Sequence, residues 1–290
     1  MKPAPFEYVR PESLDELVGM LTAGDVLLAG GQSLLPALSE RRRRLRRLVD
    51  VNAVPGLERC EAGPGLLRAG ALTRHRDLAG RADVRAAVPV LAEAARHVGH
   101  EAVRVRGTLG GSIANADPAA ELPGVCVLLD AVARVRSAAA GERAVPVADL
   151  LRPGGLAEGE VITVVEVPAL RPGEGWGFAE LSRPGAYAFP LVTVSATVMR
   201  GSGGVVTGVR AAVTGAAGAP YALPGEEAAG LLGAVPSAAW AGAVAGRLAA
   251  AARPVSDHYA SAGYRRRMVA HLARRVLADA AGRAGAGGTP

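Results

Sequence analysis

The chain has 290 residues, half of them apolar and 21% charged, which is long enough for a sizeable core and for two domains. Its net charge of +6 raises nucleic-acid binding as a reading, but Lys2 is the only lysine, and alanine, glycine and arginine are abundant throughout, as GC-rich coding gives. Three phenylalanines and two tryptophans offer few platforms for stacking bases, which argues against that reading.

In chain order, Phe6-Glu7-Tyr8-Val9 reads as a short strand, and Ser13 with Glu16 forms a capping box for a helix carrying Leu14, Leu17, Val18 and Leu21 at helical spacing, ended by Gly24. Nothing in MKPAPFEYVRPES has the apolar run of a signal peptide, and the longest apolar run, Val125 to Val135, is interrupted by Asp130 and Arg134. A soluble cytoplasmic protein with no membrane span is expected. Val26 to Ala29 reads as a buried strand that runs through Gly30-Gly31 into a helical turn at Ser33–Leu38. Six arginines between Arg41 and Arg47, broken only by Leu45, suit a solvated loop or helix end, with a phosphate or partner site as the alternative. Leu48–Val51 is the next strand, and Gly56–Ala71 a hairpin turning at Gly63-Pro64-Gly65.

Thr73 is expected to cap a helix, and a long helix to run from about Val84 to Val98. The stretch Val103–Asp117 reads as a glycine-rich loop, with a helix from Pro118 through Leu129 and strands near Ala133–Ser137 and Val161–Val167. Pro168–Gly175 marks a boundary. Beyond it, Phe178–Ser182, Val192–Met199 and Val205–Val213 read as antiparallel strands, and Ser237–Ala252 and Ala262–Ala281 as helices. The fold class is α+β, with a first domain over 1–170 in two α/β parts (about 1–55 and 56–170), a C-terminal α+β domain over 175–281 and a disordered tail at 282–290.

Two loops carry the chemistry. Ala29-Gly30-Gly31-Gln32-Ser33 lies between a strand and a helical turn, where backbone amides point outward and attract phosphate, and Ser33 adds a hydroxyl. Thr108-Leu109-Gly110-Gly111-Ser112 offers a second set of amides and hydroxyls. Gly110 and Gly111 are read as positions where a missing Cβ leaves room for a pyrophosphate. Neither loop fits GxGxxG before a long helix or the lysine-bearing P-loop, and a pair of loops suits a dinucleotide better than a mononucleotide.

Together AGGQSLLP and RGTLGGSIANADPAAELP resemble the FAD-binding subunits of molybdenum hydroxylases, such as the medium subunit of carbon monoxide dehydrogenase and the flavin domain of xanthine dehydrogenase. FEYVRPES, FAELSRPGAY and VSDHYASAGYRRRMVAHLARR extend the resemblance over nearly the whole chain. The resemblance implies a vanillyl-alcohol-oxidase and murB-like (PCMH-type) fold: a two-part FAD-binding domain followed by a C-terminal α+β domain. It implies FAD with its pyrophosphate on Ala29–Ser33 and Thr108–Ser112, Glu121 on the ribose or adenine side, and Val98 and Ile162 packing on the cofactor.

It also implies an iron–sulfur subunit and a molybdopterin subunit as partners in a hetero-oligomer, with NAD, oxygen or a quinone as acceptor. Three departures stand out. Ser112 replaces an asparagine of many relatives, Glu180 a lysine near the flavin ring, and Pro184 an arginine, which puts the acceptor in question more than the cofactor.

Other candidates carry less. Cys60 and Cys126 cannot form a four-thiolate metal site and read as buried thiols. His75, His97, His100, His258 and His271 show no ligand spacing, and His97 reads as structural. Asp117 reads as a helix cap or, alternatively, a general base. No metal ligand set and no acid–base pair emerges. The lead function is an FAD-dependent electron-transfer subunit, and the alternative a stand-alone FAD oxidoreductase acting on a small metabolite.

Overall fold

Residues 2–182 and 189–285 are described by the computed structural model. They form three sheets in succession. The first unit comprises β1 (Glu7–Val9), α1 (Leu14–Met20), β2 (Asp25–Leu28), α2 (Leu34–Ser39) and β3 (Arg47–Asp50), with all pairing parallel in the order β1-β3-β2. Leu17, Val18, Val49 and Val51 form its core. Ser13 caps α1 by accepting from the Glu16 N–H, while the Glu16 carboxylate reaches the Glu12 N–H, one residue earlier than a capping box would have it. The helix stops at Met20. Gly24 sits in the following turn at φ +82° and does not end the helix. Of the arginine run, Arg46 and Arg47 both converge on Asp25, so this part of the run is structural; Arg47 first, helped by Thr22, holds the Asp25 carboxyl well below the usual range.

The second unit comprises β4 (Cys60–Gly63), β5 (Leu66–Gly70), α3 (His75–Gly80), α4 (Ala82–Ala87), α5 (Pro89–His97), α6 (Glu101–Arg106), α7 (Leu109–Asn115), α8 (Glu121–Leu128), β6 (Val132–Ser137), β7 (Gly141–Pro146), α9 (Val147–Leu150) and β8 (Val161–Pro168). Its sheet is antiparallel in the order β4-β5-β8-β6-β7. Three expectations change here. The long helix expected over 84–98 is two, because Pro89 removes an N–H and pushes Val88 out of the helical region to φ −138°, ψ 65°. The stretch expected to be a loop is largely helical, as α6 and α7. Thr73 is no cap: its hydroxyl donates to the Arg59 carbonyl at 3.3 Å, and Arg74 takes the N-cap position of α3.

Every residue of α8 is buried, which accounts for the apolar run around Val125. Burial pushes the Cys126 thiol up to about 12 and raises that of Cys60, so both are inert.

The third unit comprises β9 (Gly175–Leu181), β10 (Val192–Arg200), β11 (Val206–Thr214), β12 (Tyr221–Ala222), α10 (Gly225–Ala229), α11 (Ala238–Ala251) and α12 (Ala262–Arg283). Its antiparallel sheet runs β12-β11-β10-β9, and α11 and α12 cover one face through Val244, Leu248, Val269, Val276 and Leu277. Because α12 continues to Arg283, Gly282 is helical and does not begin a tail; residues 286–290 lie outside the described residues. The unit joins the second through α8: the Gly215 N–H donates to the Pro118 carbonyl at 2.8 Å, and Gly124 lies against Thr214. Among the described residues, no helix is long and apolar enough to cross a membrane, and no group of three or more His, Cys, Asp or Glu could hold a metal.

Candidate cofactor site

The two glycine loops, some eighty residues apart in sequence, touch. A Cβ on Gly30 would run into the Arg106 carbonyl and the Gly107 Cα, and one on Gly111 would approach the Ala29 Cβ at 3.6 Å. Gly31 sits at φ +72°, which turns the chain sharply from β2 into α2. Among the described residues, no group accepts from the N–H of Gly30, Gly31, Gln32 or Ser33. Gln32 folds its amide back onto the Gly30 carbonyl at 3.3 Å, and the Ser33 hydroxyl, at the N-cap of α2, makes no cap bond. The result is a row of consecutive unbonded donors suited to an anion.

The second loop is built differently. Thr108 caps α7 by accepting from the Gly111 N–H at 3.2 Å. The Leu109 N–H donates to Thr73 and the Gly110 N–H to Ala71, so these two amides hold the loop to the end of β5 and are not free for phosphate. A Cβ on Gly110 would stand 2.6 Å from the Ala71 Cβ, which means that its missing side chain makes room for protein. At Gly111 the nearest atom is the Thr108 hydroxyl, 2.7 Å from such a Cβ. The Ser112 N–H bonds the Thr108 carbonyl and its side chain is half-buried.

A polar chain links the loops. The Asn52 side chain donates to the Ala29 carbonyl at 2.9 Å and the Leu28 carbonyl at 3.2 Å, and accepts from Arg74 at 2.8 Å. Arg74 also donates to the Arg106 carbonyl at 2.5 Å, the same carbonyl that Gly30 approaches. Beneath the second loop lies His75. Neither of its ring nitrogens makes a well-formed hydrogen bond, and burial holds it neutral down to about 4, offset only in part by the Thr108 backbone.

Farther along, α5, α8 and β9 bring His97, Glu121 and Glu180 together. His97 Nδ1 is 3.4 Å from Glu180 Oε1 and its Nε2 3.3 Å from Glu93, so Glu180 above all raises its pKa; its ring lies 5.0 Å from that of Phe178. The Ser182 hydroxyl donates to the same Glu180 oxygen, whereas Glu180 Oε2 is buried with no partner among the described residues. Burial lifts the Glu121 carboxyl to about 7, with the Glu180 and Asp117 charges adding to the effect and His97 opposing it.

Asp117 accepts from the Ala119 N–H at 2.9 Å in a local turn, and the N-cap position of α8 belongs to Ala120; the cap expected at Asp117 is therefore a turn. Val98 follows α5 and is half-buried, and its carbonyl accepts from Arg104; Ile162 is buried in β8, against which α7 packs. Pro184 lies outside the described residues.

Residues 4–170 match the family described as the FAD binding domain in molybdopterin dehydrogenase, and residues 176–280 the CO dehydrogenase flavoprotein C-terminal domain. The chain belongs to this flavoprotein family. It is 37% identical to the alpha subunit of the 6-hydroxypseudooxynicotine dehydrogenase complex of Paenarthrobacter nicotinovorans, over 98% of this chain and 97% of that one. It is 35% identical to the carbon monoxide dehydrogenase medium chain of Hydrogenophaga pseudoflava, over 96% and 97%.

Among solved structures it resembles that organism's carbon monoxide dehydrogenase lacking the Mo-pyranopterin moiety, with a TM-score of 0.91, 33% identity and 98% and 100% of the two chains covered. Quinoline 2-oxidoreductase from Pseudomonas putida 86 gives a TM-score of 0.90 at 32% identity, over 97% and 99%.

FAD is the cofactor of this flavoprotein family, and the residues present fit it. The first loop offers four amides without a partner among the described residues to a diphosphate, and the guanidinium of Arg74 is bonded to the Arg106 carbonyl that Gly30 packs against. Of the residues now in place, Asn52 and Arg74 carry no motif in the sequence, and His97 reads there as structural. Their partners lie 22 to 32 residues away for Arg74 and 83 away (180 − 97) for the His97–Glu180 pair, where no local pattern reports them.

Proposed function

We propose that the chain is the FAD-carrying electron-transfer subunit of a molybdenum-containing hydroxylase. The observation that carries this reading is the row of free amides at Gly30–Ser33 set against the start of α7. Ala29–Ser33 would hold the pyrophosphate, with Thr108, Gly111 and Ser112 as its border and Leu109 and Gly110 as the support that ties the second loop to the end of β5. Glu121 and Asp117 serve the polar side of the cofactor, Val98 and Ile162 its apolar side, and Glu180 the flavin ring.

Glu180 faces His97 across 3.4 Å, so an acidic side chain beside an imidazole stands where the resemblance implies a lysine. Bound FAD supplies the passage of electrons from an iron–sulfur partner to NAD, oxygen or a quinone. The assembly would include a molybdopterin subunit and work in the cytoplasm; relatives named as subunits or medium chains of multi-subunit dehydrogenases support this reading.

The test is an absorption spectrum of the purified protein with identification of the released cofactor, followed by co-expression with the neighbouring genes. The expected result is FAD and not FMN, little substrate oxidation by the chain alone, and co-purification in a larger complex. A chain that binds no flavin at micromolar FAD sinks the reading, and one that turns over a substrate unaided replaces the electron-transfer role with a free-standing oxidoreductase.

A further inference from the structure

Arg74 occupies an unusual place for a cation. It is only partly exposed, and burial, then the neighbouring Arg106 charge, lowers its pKa. Asp50 and Asp77 act on it at a distance, but among the described residues no carboxylate comes within ion-pair reach. Its two hydrogen bonds go to neutral oxygens, the Arg106 carbonyl and the Asn52 side chain. A guanidinium has five N–H donors, so three remain. A half-buried charge without a counter-ion is unfavourable unless something else supplies the anion.

The position says where that anion would sit. The Arg106 carbonyl that binds Arg74 is the one against which Gly30 is packed, and the Asn52 amide that binds Arg74 also holds the Ala29 carbonyl. Arg74 therefore stands one hydrogen bond from both ends of the junction between the loops, beside four amides that donate to nothing among the described residues.

Resting on the FAD reading above, we propose that Arg74 is the charged partner of the cofactor's diphosphate: it completes an anion site whose neutral donors are the Gly30–Ser33 amides and ties that site to the second loop. An arginine fork suits two adjacent phosphate oxygens, which a lysine would meet only as a point charge.

The experiment measures binding of FAD and of riboflavin, which lacks phosphate, to the flavin-free full-length protein by fluorescence at several salt concentrations, for wild type, Arg74→Gln and Arg74→Lys. Thermal melts of the flavin-free proteins check folding. Arg74→Gln should weaken FAD roughly 10- to 100-fold, the range of a charge-assisted hydrogen bond. It should leave riboflavin unchanged and flatten the salt dependence of FAD binding. Arg74→Lys should keep the salt dependence and lose less affinity. Should Arg74→Gln fail to fold, Arg74→Lys decides alone: FAD weakened with riboflavin unaffected supports the proposal, and equal losses for both ligands overturn it. Equal losses in Arg74→Gln mean a loop staple only and also overturn it, as does unchanged FAD affinity. A wild-type chain that binds no FAD brings down the functional reading as well, which separates the two failures.

Discussion

Neighbouring glycines in the second loop lack a side chain for different reasons, and alanine at each should show it. At Gly110 a Cβ meets Ala71, both its Cβ and its backbone, so Gly110→Ala should destabilise the flavin-free protein by about 1–3 kcal/mol, the usual range for overpacking. At Gly111 the obstacle is the Thr108 hydroxyl alone, and the roughly 1 kcal/mol lost when that cap is displaced is offset by a similar gain of alanine over glycine inside α7, so Gly111→Ala should melt near wild type while losing FAD affinity. Identical melts for the two variants would contradict this division. Two buried groups set opposing pH dependences. His75 is neutral in the fold down to about 4 and titrates near 6.5 when unfolded, so its contribution is whole above 6.5 and fades as pH falls toward 4. Glu121 is protonated up to about 7 in the fold and titrates near 4.5 when unfolded; its contribution is whole below 4.5 and fades as pH rises toward 7. Each amounts to roughly 3 kcal/mol across its window. Between pH 4.5 and 6.5, melting midpoints of flavin-free His75→Gln should therefore fall with pH, and those of Glu121→Gln should rise. Slopes of the same sign in both variants would refute the assignment.

At the scale of elements, α7 shows why the site forms where it does. Its first turn is held by the Thr108 hydroxyl and by the amides of Leu109 and Gly110 reaching back to Thr73 and Ala71. Thr108→Val should remove the cap and cost about 1 kcal/mol in the flavin-free protein, with Thr108→Ser restoring most of it; chemical denaturation measures both. A valine variant as stable as wild type would show that the two backbone bonds suffice. The glycines that flag this segment in the sequence also argue, by propensity, against helix there, and packing against β5 overrides them. The break at Val88, by contrast, is a local consequence of Pro89 and could have been read from the chain.

Over the whole molecule, the second and third units are joined through α8, which has no exposed face. Gly124 lies so close to Thr214 that any side chain must displace it, and Gly215 bonds Pro118 three residues before Glu121. Gly124→Leu should lower the unfolding midpoint of the third unit, followed by the fluorescence of Trp176 and Trp240, the chain's two tryptophans. FAD should be released at the same lowered denaturant concentration, because Glu121 and Glu180 approach each other across this junction. Release that keeps its wild-type midpoint while the tryptophans shift would mean that the third unit does not support the site.

The sequence by itself determined the elements whose signals are local: the strand–glycine–helix corner at Val26–Leu38, the Ser13 cap, the hairpin at Gly63–Gly65, the strands around Val161 and Val194, and the paired glycine motifs that mark the family. Periodicity, turn chemistry and short motifs are properties of a few consecutive residues, and they survive without the fold. Tertiary structure alone decided that the two loops touch, that Gly110 faces Ala71, that Asn52 and Arg74 bridge the loops, and that His97 meets Glu180. These are contacts between residues tens of positions apart, and whether an amide is free or bonded, or a charge is paired or alone, depends on what the packed chain brings beside it.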